Sequence, residues 1–284
     1  MTKQGCTRRE ALAKLALVPA LLFVPGANIL EGISSTSCKS KKGYVKLFDG
    51  KSLSGWHKNE QKIGHGTGGS WQVENGVIVG EQDPPGSGNG GILMTDKKYG
   101  DFELELEVLP DWGVDSGIFI RTNEVGECFQ IYLDYHDNGL IGFISTEGKE
   151  RMFIRPFCAD GILDEKGKLT GLKTKPDSRE VAWKPDYLLY HCSPEEWKKA
   201  WKIGKWNTMR VRCTGKYPRI TTWINNVKIA DFDGETCPSP LYKKEMLAET
   251  LGSEGHIALQ VHGGKGYWKE GAKCRWRNIR VKEL

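Results

Sequence analysis

The chain has 284 residues, of which 38% are hydrophobic and 10% aromatic, and this is enough apolar material for the core of one long domain. The formal net charge is only +5, and beyond the N-terminal segment Lys and Arg are interspersed with Asp and Glu. A nucleic-acid-binding protein would concentrate its basic residues on one surface, so we expect no nucleic-acid partner.

The N-terminal segment has the order of regions found in an export signal. Arg8 and Arg9 precede an apolar run over residues 15–24, which is too short to span a bilayer. The arginine pair is similar to a twin-arginine signal, although Ala11 stands where Phe is more usual. We therefore expect residues 1–37 to be signal and linker, and we expect an exported protein, periplasmic or extracellular, without a membrane span.

Eight cysteines occur, and no two of them have the C-x-x-C spacing of a zinc ribbon or a thioredoxin-type motif. Cys38 is a candidate for a lipidated N-terminus, but Ser35-Thr36-Ser37 is a poor lipobox, so a lipid anchor is the less favoured alternative. An oxidising compartment would favour some disulfides, and the sequence leaves their connectivity open.

Period-two alternation of apolar and polar residues recurs from residue 44 to the C-terminus, and it predicts β-strands. Asn75-Gly76 and Asn225-Asn226 lie between apolar runs and indicate tight hairpins. Strands follow strands without a βαβ unit, so we predict an all-β fold, an antiparallel two-sheet sandwich. The strand-like runs include "SWQVENGVIVGE", "DFELELEVLP", "DSGIFIRT", "CFQIYLDY", "GLIGFIST", "WNTMRVRCTG", "HIALQV" and "CRWRNIRVKEL".

Two short helices interrupt the strand pattern. Ser193-Pro194, with Glu196 at the capping-box position, predicts a helix through about Ala200. Ser239-Pro240 predicts a second helix that ends near Gly252.

A polar segment over residues 155–204 is too long for an ordinary hairpin loop. Its many tyrosines and tryptophans favour an ordered segment. We expect it to be a lid-like insertion over one end of a groove, within a single domain that spans residues 44–284.

Seven motifs occur in a characteristic order. They are "LFDGKSLSGW", "WQVENGVIVGE", "YGDFELELEV", "DSGIFIRT", "GKWNTMRVRCTG", "ITTWINN" and "GHIALQVHGG" followed by "WRNIRVKEL". In this order the chain resembles the exported 3-keto-disaccharide hydrolase family over residues 44–284, apart from the insertion. The resemblance implies a concanavalin-like jelly roll that acts on glycosides whose glucose ring is oxidised to a ketone at C3.

Two motifs depart from the family pattern. Asp115-Ser116-Gly117 replaces the usual Asn-Ser-Gly, and Cys128-Phe129-Gln130 replaces a frequent Glu-x-Gln. The first change adds a charge and the second removes one. The lost Glu favours a non-catalytic carbohydrate-binding module as the alternative function, whereas Gln260 and His262 in the last motif favour an enzyme.

Polar residues on three predicted strands share one face of each strand, so they would converge on one groove if these faces line the same sheet. Trp112, just before the first of these strands, is a candidate either for stacking on a sugar or for closing one end of the sandwich. The candidates on the strands are Asp115, Arg121, Gln130, Tyr132, Asp134, Gln260 and His262.

A C3 ketone acidifies the proton on C2, so a base and an enolate stabiliser could expel the aglycone from C1, and water could then add. His262 is the best candidate base because imidazole titrates near neutral pH. Arg121, or a divalent cation held by Asp134 or Asp115, would stabilise the enolate. Arg121 paired structurally with Asp134 is the alternative. The substrate-binding candidates are Gln260, Gln130, Asp115, Trp112 and Tyr132.

Two further groups attract notice without a strong functional signal. Glu103, Glu105 and Glu107 alternate as carboxylates do in retaining sandwich glycosidases, but a solvated acidic strand face is the favoured interpretation. His57 and His65 flank a glycine-rich loop without metal-ligand spacing.

Overall fold

The structure, a computed structural model, describes residues 43–61, 64–148, 150–177 and 183–284. The predicted export signal and the alternative lipid anchor at Cys38 lie outside the described residues. Within these ranges neither helix has the length and apolar character needed to cross a bilayer.

Strands dominate the described residues. In chain order they are β1 Val45–Lys46, β2 Trp56–Lys58, β3 Ser70–Glu74, β4 Val77–Glu81, β5 Gly91–Thr95, β6 Phe102–Val108, β7 Gly117–Thr122, β8 Cys128–Leu133, β9 Ile141–Glu147, β10 Phe153–Ile154, β11 Phe157–Leu163, β12 Leu169–Pro176, β13 Tyr190–His191, β14 Asn207–Thr214, β15 Arg219–Ile224, β16 Val227–Asp233, β17 His256–Val261 and β18 Cys274–Glu283.

These strands form two large antiparallel sheets and one hairpin. The nine-stranded sheet has the order β13-β16-β15-β14-β6-β18-β4-β3, with β1 beside β18. The seven-stranded sheet has the order β10-β9-β8-β7-β17-β5-β2, and β11 pairs only with β12. The all-β, antiparallel, two-sheet prediction is confirmed.

The main core combines alternate residues of strands from both sheets. Leu104 and Leu106 of β6, in the nine-stranded sheet, are fully buried in the same cluster as Ile118 and Ile120 of β7, in the seven-stranded sheet. Each such side chain contributes about 1.5–3 kcal/mol of transfer free energy on burial. The opposite face of the seven-stranded sheet is thereby left to carry the polar residues.

The glutamates of β6 form ion pairs within the nine-stranded sheet, so they are not part of the polar face of the seven-stranded sheet. This agrees with their interpretation as a charged strand face, although Glu105 is buried rather than solvated. The pairs are Glu103 with Arg210 at 3.6 Å, Glu107 with Arg277 at 2.6 Å, and Glu105 with Arg280.

The first predicted helix is confirmed as α1, Pro194–Ala200. The Ser193 hydroxyl accepts a hydrogen bond from the Glu196 N–H at 3.2 Å, and the Glu196 carboxylate accepts one from the Ser193 N–H at 2.8 Å. This is the complete capping box that the sequence indicates.

The second helix, α2, spans Lys244–Leu251 and has Gly252 as its C-cap. Its predicted end is correct, but its predicted start at Ser239-Pro240 is wrong. The Ser239 carbonyl accepts instead from the Tyr242 N–H at 3.0 Å and closes a separate turn. Tyr242 is then held by an edge-on contact with Phe232, so the helix begins only after it.

The insertion has two parts with different environments. The β11–β12 hairpin is a separate sheet, whereas β13 extends the nine-stranded sheet beside β16. Tyr187, Trp197 and Trp201 are buried in the main core. These three aromatic residues are therefore structural, and the described residues of the insertion that line a cavity belong to the hairpin and its base. Residues 178–182, between the two parts, are outside the described residues.

The cysteines of the described residues form no disulfide with one another. Five are buried and Cys237 is partly exposed. The free thiols are those of Cys128, Cys158, Cys192, Cys213, Cys237 and Cys274.

Candidate active site

The outer face of the seven-stranded sheet carries a row of polar residues that the strand register aligns. Gln130 of β8 is the Cα partner of Phe119 on β7 and of Ser145 on β9. Ala258 of β17 is also paired with Phe119, so Gln260, two residues further on, lies on this face too.

Two adjoining cavities lie over this face. The acidic cavity, of about 690 Å³, is lined by Asp115, Asp134 and His136 among others. The glycine-rich cavity, of about 640 Å³, is lined by His65 and by several glycines. Both volumes fall within the range of small-molecule sites. The residues lining both cavities, called here the shared wall, are Glu147, Arg151, His262 and Tyr267.

His262 follows directly after β17 and is half-buried in the shared wall. Its ring stacks on Tyr267 with centroids 4.5 Å apart and meets the His65 ring edge-on at the same separation. Burial lowers the pKa of His262, and the neighbouring His65 adds to this effect against an opposing influence of Asp115. Its Nδ1 contacts the Gly263 carbonyl, so the neutral ring carries its proton there and Nε2 is the basic atom.

A buried chain of hydrogen bonds lies beside His262. The Ser145 hydroxyl donates to Gln130 Oε1 at 2.9 Å, and Gln130 Nε2 donates to Gln260 Oε1 at 3.1 Å. Gln260 Nε2 lies 3.1 Å from His65 Nδ1. Gln260 is fully buried and lines neither cavity. It therefore holds His65 in place, and the predicted role as a substrate-binding residue is replaced by a positioning role.

Gly117 permits this amide pair. A Cβ atom at this position would lie 2.6 Å from Gln130 Nε2 and 3.0 Å from Gln260 Oε1. Any side chain would push the two amides apart. The glycine of the Asp115-Ser116-Gly117 motif is thus explained by close approach.

Glu147, at the end of β9, connects His65 to the shared wall. Its carboxylate lies 3.6 Å from His65 Nε2 and 3.0 Å from Arg151. Burial alone would raise the pKa of Glu147, but His65 and Arg151 lower it overall. Glu147 is therefore an ionised carboxylate at neutral pH.

Cys128, where the resembled family often has Glu, belongs to a small apolar cluster on the outer face of the sheet. His65 packs edge-on against Phe119 of the same cluster. Glu147 is the Cα partner of Cys128 across the β8–β9 pair, so a carboxylate is still present at this register. The cluster contains Ile92, Met94, Phe119, Cys128 and Ala258.

Asp115, Asp134 and His136 form a compact acidic cluster at one end of the sheet. One side-chain ligand atom from each lies within 4.8 Å of the others. Burial, reinforced by the Asp115 charge, raises the pKa of Asp134 well above its ordinary value. Burial would lower the pKa of His136, but the two aspartates raise it to about 9. Within the described residues this is the group whose chemistry could hold a metal ion.

Arg155 fastens the base of the β11–β12 hairpin to the acidic cavity. Its guanidinium pairs with Asp177 at 3.1 Å, contacts the Asn138 carbonyl and lies 5.5 Å from the centroid of the Tyr132 ring. Tyr132 lines the acidic cavity beneath it, as predicted for a residue on this face.

Arg121 is not brought to the groove. The β7–β17 pairing has a register shift opposite Arg121, whose φ of +52° turns its side chain off the expected face. The guanidinium donates to Asp101 at 3.1 Å and to the Gly215 carbonyl at 3.3 Å. The predicted role in enolate stabilisation and the alternative pairing with Asp134 both fail because a β-bulge breaks the alternation on which they depended.

Trp112 also lies outside both cavities. Its ring meets Tyr135 edge-on at 5.0 Å, and a Cβ atom at Gly161 of the hairpin would come within 2.6 Å of it. It packs under the hairpin, a structural contact that the sequence did not predict.

Several residues of the site were not predicted from sequence. Glu147 lies two residues after Ser145, so the alternation along β9 contained its signal. His136 likewise lies two residues after Asp134. His65 comes from an irregular loop, and no periodicity could have placed it beside Gln260.

Together, the two antiparallel sheets and the outer groove of histidine, carboxylate and amide side chains define a β-sandwich with a polar small-molecule site on one face. Residues 43–282 match the model of the 3-keto-alpha-glucoside-1,2-lyase-like domain, and the chain belongs to that family. The resemblance noted in the sequence is confirmed, and so is the prediction of a glycoside-cleaving enzyme.

Individual proteins are also similar to this chain. A 3-keto-disaccharide hydrolase of Bacteroides thetaiotaomicron is 26% identical over 264 residues, which cover 85% of this chain and 79% of that protein. A solved structure of a candidate glycosyl hydrolase from Parabacteroides distasonis is 21% identical, with a TM-score of 0.45 over 85% of this chain and 99% of that one. A Bacillus licheniformis beta-glucanase is 10% identical, with a TM-score of 0.44 over 85% and 97%.

Proposed function

We propose that this protein cleaves the glycosidic bond of 3-keto-glucosides, including 3-keto-disaccharides, by elimination followed by hydration. The observation that carries the proposal is the position of the His262 imidazole in the wall shared by the two cavities, where burial also lowers its pKa. Family membership supports the oxidised substrate, because both the family description and its curated relative refer to 3-keto sugars.

The reaction needs one proton to leave C2. His262 removes it, and the electron pair of the C2–H bond forms an enolate with the C3 carbonyl. The enolate then collapses, the bond from C1 to the aglycone oxygen breaks, and that oxygen takes up a proton. The sugar is left with a C1–C2 double bond conjugated with the C3 ketone. Water adds its hydroxyl to C1 and a proton returns to C2, so the net result is hydrolysis.

His262 suits the role of base through its surroundings. Tyr267 and His65 fix the ring from two sides, and the Gly263 carbonyl engages Nδ1. A base held in this way typically contributes about 10²–10⁴ in rate. The buried Gln130–Gln260–His65 chain maintains the arrangement from below.

The two cavities divide the substrate between them. The base must reach C2, next to the bond that breaks, so that bond lies near the shared wall. We assign the oxidised ring to the acidic cavity, whose polar groups Gln130 and Asp115 can bind its hydroxyls. The glycine-rich cavity then receives the aglycone. Because several of its lining residues are glycines without side chains, it has room for aglycones of different shapes.

The deciding experiment compares aglycone release from a 3-keto-glucoside and from the matched unoxidised glucoside. We expect release from the keto sugar only. Release from both would identify a conventional glycosidase. Binding of the keto sugar without release would identify a carbohydrate-binding module and end the proposal.

The first prediction concerns the base. His262→Ala should reduce kcat on the keto sugar about 10²–10⁴-fold, while thermal unfolding shifts little because the half-buried ring leaves no core cavity. His57→Ala is the matched control, since this exposed histidine pairs with Asp96 and lines neither cavity. Near-normal kcat in a folded His262→Ala protein would assign the proton transfer to another residue.

A further inference from the structure

We propose that Asp115, Asp134 and His136 bind a divalent transition-metal cation of the Mn²⁺ or Zn²⁺ class. This binding site opens onto the acidic cavity. The binding site is independent of the proposed reaction. Its role in that reaction, polarising the C3 carbonyl, rests on the proposed function.

Backbone pairing places the three residues together. Tyr135 N–H donates to the Val114 carbonyl at 2.8 Å, and Gly113 N–H donates to the Tyr135 carbonyl at 2.7 Å. This isolated antiparallel bridge sets the segment before β7 beside the segment after β8. The cluster is therefore held by backbone pairing that continues the β7–β8 pair beyond the strand ends, and not by side-chain contacts alone.

Asp134 provides independent support for a bound cation. Its side chain is only 8% exposed, and Oδ1 has no hydrogen-bond partner among the described residues. A buried carboxylate oxygen without a partner is costly, and a second carboxylate, that of Asp115, lies within the same cluster. A cation between the two would stabilise both carboxylates in their charged form and give the Asp134 oxygen a partner.

His136 has the orientation expected of a metal ligand. Nδ1 lies 2.8 Å from the Asp137 carbonyl, so it keeps its proton whether or not the ring is charged. Nε2 faces the cluster, 3.4 Å from Asp115 Oδ2, and a bound cation would replace the proton that the two aspartates hold there. Histidine ligands commonly use their other ring nitrogen to hydrogen-bond a carbonyl in this way.

The donor set indicates the class of cation. Ca²⁺ and Mg²⁺ prefer oxygen ligands alone, whereas one imidazole with two carboxylates suits Mn²⁺ or Zn²⁺. Three protein ligands leave coordination positions open, as in catalytic metal sites. Metal–ligand bonds of about 2.0–2.2 Å would draw together the three ligand atoms, which now lie within 4.8 Å of one another.

Such a cation would supply the electrophile that the reaction needs. The structure removes Arg121 from the groove, and Arg151 is already paired with Glu147. A cation in the acidic cavity could accept the C3 oxygen as negative charge develops on it. The competing interpretation is a metal-free cluster in which a protonated His136 neutralises the aspartates.

Binding can be tested without any sugar. The protein would first be stripped of metal with EDTA and dialysed. Mn²⁺ binding would be measured by calorimetry and by the loss of the electron paramagnetic resonance signal of free Mn²⁺. Zn²⁺ binding would be measured by calorimetry. We expect one site per chain. Asp134→Asn and His136→Gln should each weaken binding at least about 100-fold, because each removes a direct ligand, and loss of outer-shell partners alone costs about 10–100-fold.

Asp137→Asn is the matched control, since its carboxylate accepts from the Gly161 N–H and its backbone carbonyl is unchanged. In the metal-free state, Asp134→Asn should unfold at the same temperature as the wild type or higher, and Mn²⁺ should raise the unfolding temperature of the wild type and of Asp137→Asn but not that of Asp134→Asn. The absence of Mn²⁺ and Zn²⁺ binding, or equal binding by the folded Asp134→Asn and His136→Gln variants, would overturn the site.

The two proposals fail in different ways. One cation bound per chain without turnover of the keto sugar leaves the site intact and rejects the proposed reaction. Full turnover by the metal-free protein keeps the reaction and rejects the catalytic role of the cation.

Discussion

At the scale of single residues, the site depends on side chains that never touch the cavities. Gln260 is fully buried and has both ends of its amide occupied, by Gln130 and by His65. Such a residue acts through its neighbours. It holds His65 against His262 and Glu147 at the same time.

Gln260→Ala should therefore lower the free energy of unfolding and the activity together. It leaves Gln130 Nε2 and a ring nitrogen of His65 unpaired, at a cost of about 1–3 kcal/mol for each buried group left unsatisfied. Chemical denaturation and kcat/KM on a keto sugar would measure both effects, with the exposed Gln72→Ala as control. Unchanged stability with a selective rise in KM would return Gln260 to a direct role in binding sugar.

Asp231 gives a pH-dependent contribution to stability at a site remote from the groove. Burial would raise its pKa, but hydrogen bonds from Arg219 and Lys228, at 3.0 and 2.6 Å, lower it overall. A depressed folded-state pKa stabilises the protein above the unfolded-state value of about 4, and this stabilisation disappears as pH falls through the folded-state value.

Asp231→Asn should thus destabilise the protein at pH 7 by about 1–3 kcal/mol. The difference from the wild type should shrink in acid, below the ordinary aspartate pKa. Urea unfolding between pH 7 and pH 3 measures it, with the exposed Asp186→Asn as control. A pH-independent difference would mean that packing rather than charge explains the loss.

At the scale of elements, the β11–β12 hairpin has a partly exposed tip and a base that lines the acidic cavity. Ile162 and Leu163 near the tip are about half exposed, whereas Lys175 and Asp177 at the base line the acidic cavity. Replacing residues 162–171 by Asn-Gly should leave KM nearly unchanged. Arg155→Ala should raise KM, because it releases the base from Tyr132 and Asp177.

Steady-state kinetics on a keto sugar would compare the two variants, with circular dichroism to verify folding. A large KM increase for the shortened tip would mean that the whole hairpin covers the substrate. It would restore the lid interpretation for this half of the insertion.

The sequence predicted those features that depend on local pattern. Alternation placed Gln130, Asp134 and Gln260 on one sheet face, and the capping box fixed α1. The pattern failed at Arg121, where a bulge that depends on pairing with β17 reverses the side chain. It also failed for His65, because a loop residue reaches Gln260 only through the tertiary fold.

At the scale of the whole molecule, the two sheets hold together without cross-links among the described cysteines. Reducing agent should therefore leave the unfolding temperature unchanged. A thiol reagent should label Cys237 slowly in the native protein and the five buried cysteines only after unfolding. Rapid native labelling of more than one of these thiols, counted by mass spectrometry of peptides, would show that the core opens under native conditions.

The outer face of the nine-stranded sheet has a consequence for behaviour at high concentration. Its glutamates are matched by Arg210, Arg277 and Arg280, and the guanidinium groups of Arg210 and Arg277 lie over the rings of Trp223 and Trp206. A broad sheet face with apolar residues would invite a second copy to stack on it and form aggregates. Covering this face would instead strip water from several ion pairs at once, which is costly. The row of ion pairs thus favours colloidal stability of the folded protein.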